Sequence, residues 1–307
     1  MSRKTLAAEY ASSRVTALPS LDLTFANVKW RLVHDCAGLD LCTDSRTSEF
    51  ISQDDRPPDA TVHVRWAKSF PDPGGVLFDA GLWRAYEGEP HIFDFQSPKF
   101  GATPYKRAIF DREFNEGEVL LNRELISSEK SYYPFEYPLD ELAMMHRLGL
   151  GHGAELHSCG MATPDGNAFL FVGHSGAGKS TIGKLWVNER GSRILSDDRN
   201  IITRDNKGFR LHGTPWHGEA GLASNSSAEL KAIFFLARGS TNELISLPPA
   251  LAAAELFARA FVPWYRAEAL DFTLSFLKSV VEKVPTYTLR FVPNKHVIQF
   301  LEAACAI

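Results

Sequence analysis

Apolar and polar positions alternate along much of the first part of the chain, in short runs separated by turn residues. The clearest runs are residues 61–66, 81–86 and 91–95, and the turns carry proline or glycine at residues 71–75, 87–90 and 115–117. Alternation with a period of two indicates a strand with one buried face. The pattern therefore predicts a β-rich unit, which we place at residues 1–131.

The pattern changes after about residue 132, where helical spacing joins the short apolar runs. Leu139, Leu142 and Met145 recur at helical spacing until the glycines at positions 149, 151 and 153. Short runs predict strands at 155–162, 168–172, 192–196, 200–203, 209–212, 231–236 and 287–291, and periodic stretches predict helices at 249–261 and 267–282. Strands interspersed with helices are typical of an α/β fold, which we expect over residues 132–307.

A phosphate-binding pattern lies in this second part. Residues 173–180 fit G-x-x-x-x-G-K-[ST], in which glycines let successive backbone N–H groups point at a phosphate. Lys179 would add a positive charge for the outer phosphates, and the Ser180 hydroxyl would ligate Mg²⁺. The candidate nucleotide-binding residues are Gly173, His174, Ser175, Gly176, Ala177, Gly178, Lys179, Ser180 and Thr181.

The flanking pattern supports this interpretation. The apolar run 168–172 predicts a buried strand before the loop, and Ile182, Leu185 and Trp186 form the apolar side of a helix after it. A helix N-terminus favours phosphate through its dipole. A glycine-rich turn without a ligand is the alternative, but the strand–loop–helix context favours nucleotide binding.

Three further residues are candidates for chemistry. Asp197 and Asp198 follow the strand predicted at 192–196, where a phosphoryl-transfer enzyme places a carboxylate for Mg²⁺ or its water. His157 lies in the strand predicted next to the one that enters the loop. The alternatives are a helix cap or a solvated turn for the aspartates and a buried histidine with a backbone partner for His157.

Taken in order, His157, the 173–180 loop and the sequence Ser-Asp-Asp-Arg at 196–199 resemble the catalytic domain of HPr kinase/phosphorylase. They resemble more closely its diverged relatives, which are often found beside peptide-modifying genes. The resemblance covers about residues 139–301 and includes a Pro-Trp-x-Gly-Glu stretch at 215–219. It implies a fold like that of phosphoenolpyruvate carboxykinase, an α/β domain with a mixed sheet and a P-loop, preceded here by the smaller β-rich unit.

The resemblance also implies roles for individual residues. Lys179 and the loop amides would hold the phosphates of ATP, while Ser180 and Asp198 would ligate Mg²⁺. Asp197 would accept the proton of the substrate hydroxyl, and His157 would lie beside the phosphates. We further expect Lys179 to face solvent when no ligand is bound.

Three more residues are candidates for contact with the substrate: Arg199, His217 and Glu219. Each has a structural alternative. Arg199 could pair with a neighbouring acid, while His217 and Glu219 could hold a glycine-rich loop together.

The chain departs from the bifunctional enzyme in three respects. Thr181 stands where that family usually has glutamate, and the Leu-Glu-x-Arg-Gly signature is absent after Asp198. Dephosphorylation by inorganic phosphate is therefore not expected. The first part of the chain does not resemble the N-terminal domain of that enzyme, so HPr itself is not the expected substrate.

Charge and cysteine content narrow the class of protein. A net charge of −4 gives no reason to expect nucleic acid or an acidic membrane as a partner. No apolar run is long enough to span a bilayer. The four cysteines show no metal-ligand spacing and are expected to be reduced thiols: Cys36, Cys42, Cys159 and Cys305. We therefore expect a cytoplasmic protein, with assembly into a homo-oligomer left open.

The sequence favours an ATP-dependent kinase that transfers the γ-phosphoryl group to a hydroxyl, with a serine of a peptide or protein as the expected acceptor. A small-molecule hydroxyl and a phosphate donor other than ATP remain open. A nucleotide-binding adaptor in a peptide-biosynthetic complex is the alternative from another class. The intact pair Asp197 and Asp198 favours the enzyme.

Overall fold

The computed structural model describes residues 19–126, 131–187 and 189–305, without the side chains of Arg190 and Cys305. No helix in the described part of the chain is long and apolar enough to cross a membrane. Cys36, Cys42 and Cys159 are free thiols. The prediction for Cys305 falls outside the described side chains.

The first part of the chain forms strands almost throughout, as the alternating pattern predicted. Its strands are β1 (Ser20–Phe25), β2 (Val28–His34), β3 (Asp40–Leu41), β4 (Ala60–Ala67), β5 (Val76–Asp79), β6 (Trp83–Tyr86), β7 (His91–Ser97), β8 (Gly101–Phe110), β9 (Glu116–Asn122) and β10 (Ser131–Tyr132). A 3₁₀ turn covers Ser48–Phe50, and a short helix α1 covers Arg123–Ile126. Eight strands form one sheet in the order β1-β2-β4-β9-β8-β7-β6-β5, while β3 and β10 pair separately.

The second part mixes strands and helices, which confirms the predicted α/β class. Its strands are β11 (Ala154–Ala162), β12 (Asn167–Val172), β13 (Arg193–Ser196), β14 (Arg199–Arg204), β15 (Phe209–Gly213), β16 (Ser227–Arg238), β17 (Glu243–Ser246), β18 (Ala260–Phe261) and β19 (Thr286–Phe291). Its helices are α2 (Leu139–Arg147), α3 (Lys179–Trp186), α4 (Pro249–Phe257), α5 (Ala267–Val281) and α6 (His296–Cys305). A π-helical turn over Leu148–His152 follows α2, and a 3₁₀ turn over Glu189–Gly191 precedes β13. The prediction of a helix at 249–261 was wrong at its end, because β18 pairs with β11 there.

Strand β12 is buried on both faces, which explains its continuous apolar run. It pairs antiparallel with β11 and parallel with β16. Ala168, Leu170 and Val172 belong to one hydrophobic cluster, and Phe169 and Phe171 belong to another. Because successive side chains point to opposite faces, two cores hold the strand that leads into the glycine loop.

The eight-stranded sheet packs against the second part of the chain. Leu139, Met144 and Leu148, from α2 and the turn after it, share a hydrophobic cluster with residues of that sheet. Trp216 joins the same cluster, with its ring 5.9 Å from that of Phe25. A common core thus runs across the boundary predicted between residues 131 and 132.

Candidate active site

The glycine loop connects the end of β12 to the first residue of α3, as predicted. Gly176 and Gly178 have φ of +79° and +111°, a backbone region that favours glycine. A Cβ atom on Gly178 would lie 2.7 Å from the ring of Phe291, so this glycine is required by contact as well as by conformation.

Lys179 is the first residue of α3 and is only 7% exposed. Its Nζ donates hydrogen bonds to the backbone oxygens of Gly173 at 2.8 Å and His174 at 3.3 Å. Burial lowers the pKa of its ammonium group. The expectation that Lys179 faces solvent was wrong, because the carbonyls of its own loop hold the side chain.

Asp197 follows β13 and is 3% exposed. Its carboxylate accepts backbone N–H bonds from Gly218 at 3.0 Å, Ala220 at 3.1 Å and Leu222 at 3.3 Å. A Cβ on Gly218 would lie 3.0 Å from Asp197 Oδ2, so the close approach needs glycine. Three of the roughly four acceptor positions of this carboxylate are therefore taken by one loop.

Asp198 has side-chain partners instead. Its Oδ1 lies 3.0 Å from His157 Nδ1, and its Oδ2 contacts the guanidinium of Arg199. Burial works to raise the pKa of this carboxyl, but the hydrogen bond from His157 and the charge of Arg199 outweigh it and lower the pKa. The two consecutive aspartates thus have different partners.

Arg199 lies behind Asp198, among buried acids. Its Nε contacts Glu141 and lies 3.8 Å from Glu155. Glu155 is fully buried, and neither of its carboxyl oxygens has a hydrogen-bond partner. Burial and the neighbouring Glu141 raise the pKa of Glu155 well above its usual value. Arg199 therefore has the neighbouring-acid partners that were the alternative to a substrate contact.

A cleft of about 500 Å³ lies over the glycine loop and the end of β13. It is lined by His157, Ser175, Gly176, Gly178, Lys179, Ser180, Thr181, Asp197, Asp198, Gly218 and Glu219. The other candidates are not among these residues: Gly173, His174, Ala177, Arg199 and His217. His217 Nδ1 lies 3.0 Å from the oxygen of Gly218, so its contact is within the loop.

Arg259 is a neighbour of this site that the sequence did not indicate. It contacts the His174 imidazole, with 2.9 Å between its guanidinium and Nε2, and it pairs with Glu255 at 2.6 Å. Its backbone oxygen accepts the N–H of His157 at 2.9 Å. The residue falls in the stretch that the pattern predicted as helix, where an arginine gives no signal of its position.

The oxygen donors of the cleft fit Mg²⁺. Ser180 and Asp198 bring a hydroxyl and a carboxylate to one cleft beside the loop amides. Mg²⁺ typically binds one or two such protein oxygens and takes its other ligands from phosphates and water. The described residues contain no group of three or more His, Cys, Asp or Glu that could hold a metal ion alone.

Residues 141–292 match the family model of the SynChlorMet cassette protein ScmC. The match covers just under half of the chain and contains the glycine loop, both aspartates and His157. No curated protein matches the chain. The chain is therefore similar to ScmC over the part that carries the cleft.

Proposed function

We propose that this protein is an ATP-dependent kinase that transfers the γ-phosphoryl group to the hydroxyl of a peptide or protein serine. The observation that carries the proposal is one cleft containing the glycine-loop residues, Lys179 and the His157–Asp198 pair. We also propose that residues 132–307 form an HPr kinase-like domain, with Mg²⁺ as cofactor. The strand–loop–helix order within a mixed sheet supports this proposal.

The glycine loop and Lys179 bind the phosphates in this proposal. Lys179 at present satisfies two carbonyl oxygens of its own loop, and an incoming phosphate would take over one of its hydrogen bonds. Its buried position strengthens the attraction because water screens it less. Mg²⁺, held by Ser180 and Asp198, would neutralise the charge that develops during transfer.

The His157–Asp198 pair is the better candidate for accepting the hydroxyl proton. A carboxylate that holds the Nδ1–H of an imidazole orients the ring and stabilises the imidazolium formed when the ring accepts a proton. His157 is about one third exposed and lines the cleft. The resemblance implies that Asp197 accepts this proton. However, Asp197 is buried, and its carboxylate already accepts hydrogen bonds from three backbone amides of the loop.

Asp197 then has a positioning role. The hydrogen bonds that it accepts from three backbone amides hold the loop that carries Glu219 over the cleft. The protein part of a kinase contributes little covalent chemistry. The placement of the acceptor hydroxyl therefore accounts for much of the rate of phosphoryl transfer. Glu219 is the side chain of that loop through which the acceptor would be placed.

Titration calorimetry with Mg²⁺–ATP tests the first step. We expect Lys179→Ala to weaken ATP binding at least about tenfold, because it removes an ammonium group that lines the cleft. Lys207→Ala, in the exposed turn between β14 and β15, is the matched control and should bind normally. Wild-type affinity in Lys179→Ala would remove the phosphate-loop assignment. ATP binding without turnover on any serine peptide would favour the adaptor.

A further inference from the structure

Strand β5 presents an unusual edge of the eight-stranded sheet. Val76, Leu77 and Phe78 are 52%, 38% and 37% exposed, and β6 is the one described strand that pairs with β5. Exposed sheet edges are usually protected by charged residues or proline. The charged residue of β5 is Asp79, which is already paired with Arg84 at 2.7 Å. Among the described residues, the outer side of β5 therefore has no strand partner, and exposed apolar side chains lie along it.

A groove of about 510 Å³ runs beside this edge and is acidic. It is lined by Leu77, Glu87, Gly88, Glu89, Tyr265, Arg266, Ala267 and Glu268. Among these residues three are glutamates and one is a cation, Arg266, whose guanidinium contacts His91. The field in the groove therefore favours lysine or arginine side chains over acidic ones.

Two aromatic contacts and a short segment between them bound the distance from this edge to the cleft. The ring of Phe78 lies 5.2 Å from that of Tyr265, and the ring of Phe261 lies 6.4 Å from that of His157. Between Phe261 and Tyr265 the chain can span at most about 14 Å. Trp264, within that segment, is 57% exposed. A single extended polypeptide can therefore reach from the β5 edge to the cleft.

We propose that a basic, apolar polypeptide segment docks on β5 as an additional strand and that this segment belongs to the phosphoryl acceptor. Its backbone would bond to the free edge of β5, its apolar side chains would cover Leu77 and Phe78, and its basic side chains would face Glu87 and Glu268. Strand addition derives affinity from the backbone and specificity from alternate side chains. The assignment of the docked segment to the acceptor rests on the proposed kinase activity.

Fluorescence anisotropy with two labelled octapeptides tests the docking. One probe is acetyl-(Val-Lys)₄-amide and the other is acetyl-(Val-Glu)₄-amide, so that shape is kept while charge is reversed. We expect the lysine peptide to bind at least about tenfold more tightly than the glutamate peptide, with an affinity that falls as salt increases. Equal binding of the two peptides, or binding of neither, would overturn the proposal.

Variants locate the site. Leu77→Lys places a charge on the edge and should weaken the lysine peptide at least about tenfold. Ile245→Lys is the matched control, since Ile245 is 37% exposed on β17 of the other sheet, and it should bind normally. The double variant Glu87→Gln, Glu268→Gln should weaken binding and flatten its salt dependence. If Leu77→Lys and the double variant both bound like the wild type, the β5 edge would not be the site.

Two measurements separate this inference from the proposed activity and from self-association. Peptide binding is measured without nucleotide and again in Lys179→Ala, where docking should persist although ATP binding is weakened. ATP turnover without peptide docking would overturn the docking alone, and docking without turnover would overturn the kinase alone. Sedimentation velocity tests whether a second copy of this chain occupies the β5 edge instead. A dimer that dissociates in Leu77→Lys would show that the edge is a contact between two copies, and it would overturn the proposal.

Discussion

Two consecutive aspartates at the end of β13, Asp197 and Asp198, have different surroundings. Asp197 accepts three backbone N–H bonds, whereas Asp198 contacts His157 and Arg199. A carboxylate held by backbone amides and a carboxylate held by side chains respond differently to the same substitution. Replacement by asparagine, which keeps the shape, therefore distinguishes their roles.

Asp197→Asn should loosen the loop it holds. The new amide NH₂ would replace one carboxylate oxygen and face at least one of the three backbone N–H donors. At least one of the three hydrogen bonds is therefore lost, and two N–H donors are left facing each other. We expect amide hydrogen exchange at Gly218, Ala220 and Leu222 to speed up about tenfold or more, as local opening becomes easier. Asp198→Asn is the matched control and should leave these three amides protected. Unchanged protection in Asp197→Asn would contradict the positioning role.

His157→Asn should remove the proposed proton acceptor while keeping a polar side chain at that place. We expect the rate of phosphoryl transfer in a single turnover to fall by about 10²–10⁴, the usual contribution of a positioned general base. ATP affinity should stay within a few-fold, because the loop and Lys179 are unchanged. An Asp197→Asn variant that lost the rate while His157→Asn kept it would return the proton to Asp197.

At the scale of elements, the glycine loop depends on contacts made by a distant strand. Gly178→Ala combines a left-handed backbone with a Cβ 2.7 Å from the ring of Phe291 on β19. Gly166→Ala, in the turn between β11 and β12, has a φ of +81° and nothing within 4 Å of its Cβ. We expect Gly166→Ala to cost about 1 kcal/mol of stability from the backbone alone. Gly178→Ala should cost more and should also lose ATP binding.

Urea unfolding and ATP titration of the two glycine variants check this prediction. Equal loss of stability in both, with ATP affinity retained in Gly178→Ala, would mean that Phe291 moves aside without cost. Both positions have positive φ, so the backbone contributes to the cost in each variant, and the contact with the ring adds to it in Gly178→Ala.

The strand, loop and helix around residues 168–186 were predictable because each depends on neighbouring residues. Apolar runs, glycine spacing and helical periodicity are local signals. Arg259 and Glu155 gave no such signal, because their positions depend on the pairing of β18 and β14 with β11. The burial of Lys179 was missed for a related reason, since its partners are carbonyls that become available only when the loop is folded.

At the scale of the whole molecule, a buried aromatic group joins the eight-stranded sheet to the second part of the chain. The ring of Phe114 stacks on both His91 and His146, and His146 Nε2 lies 3.0 Å from the hydroxyl of Tyr265. Burial lowers the pKa of His146 to about 3 and that of His91 to about 4. Both imidazoles are therefore neutral in the folded protein at any ordinary pH.

Because His91 and His146 are neutral in the folded protein, the stability that they contribute depends on pH. The unfolded chain protonates each histidine near pH 6.5, whereas the folded chain resists protonation until about pH 3 to 4. The stability contributed by each neutral histidine is fully present above pH 6.5 and is lost as the pH falls below it. Asp140 acts in the opposite direction, since burial raises its pKa to about 7 and its contribution is lost as the pH rises towards that value.

Comparison with His146→Phe separates these effects. The variant keeps the stacked ring but cannot be protonated, so the contributions of His91 and Asp140 remain in both proteins and cancel in the difference. The variant should be less stable at pH 7.5, because the ring loses its contacts with the Leu142 carbonyl at 2.7 Å and with Tyr265. Between pH 6 and 5 the wild type should lose about 1 kcal/mol more of its free energy of unfolding than the variant. Urea unfolding at these pH values measures the difference, and parallel pH profiles would show that His146 is not held neutral between the two parts of the molecule.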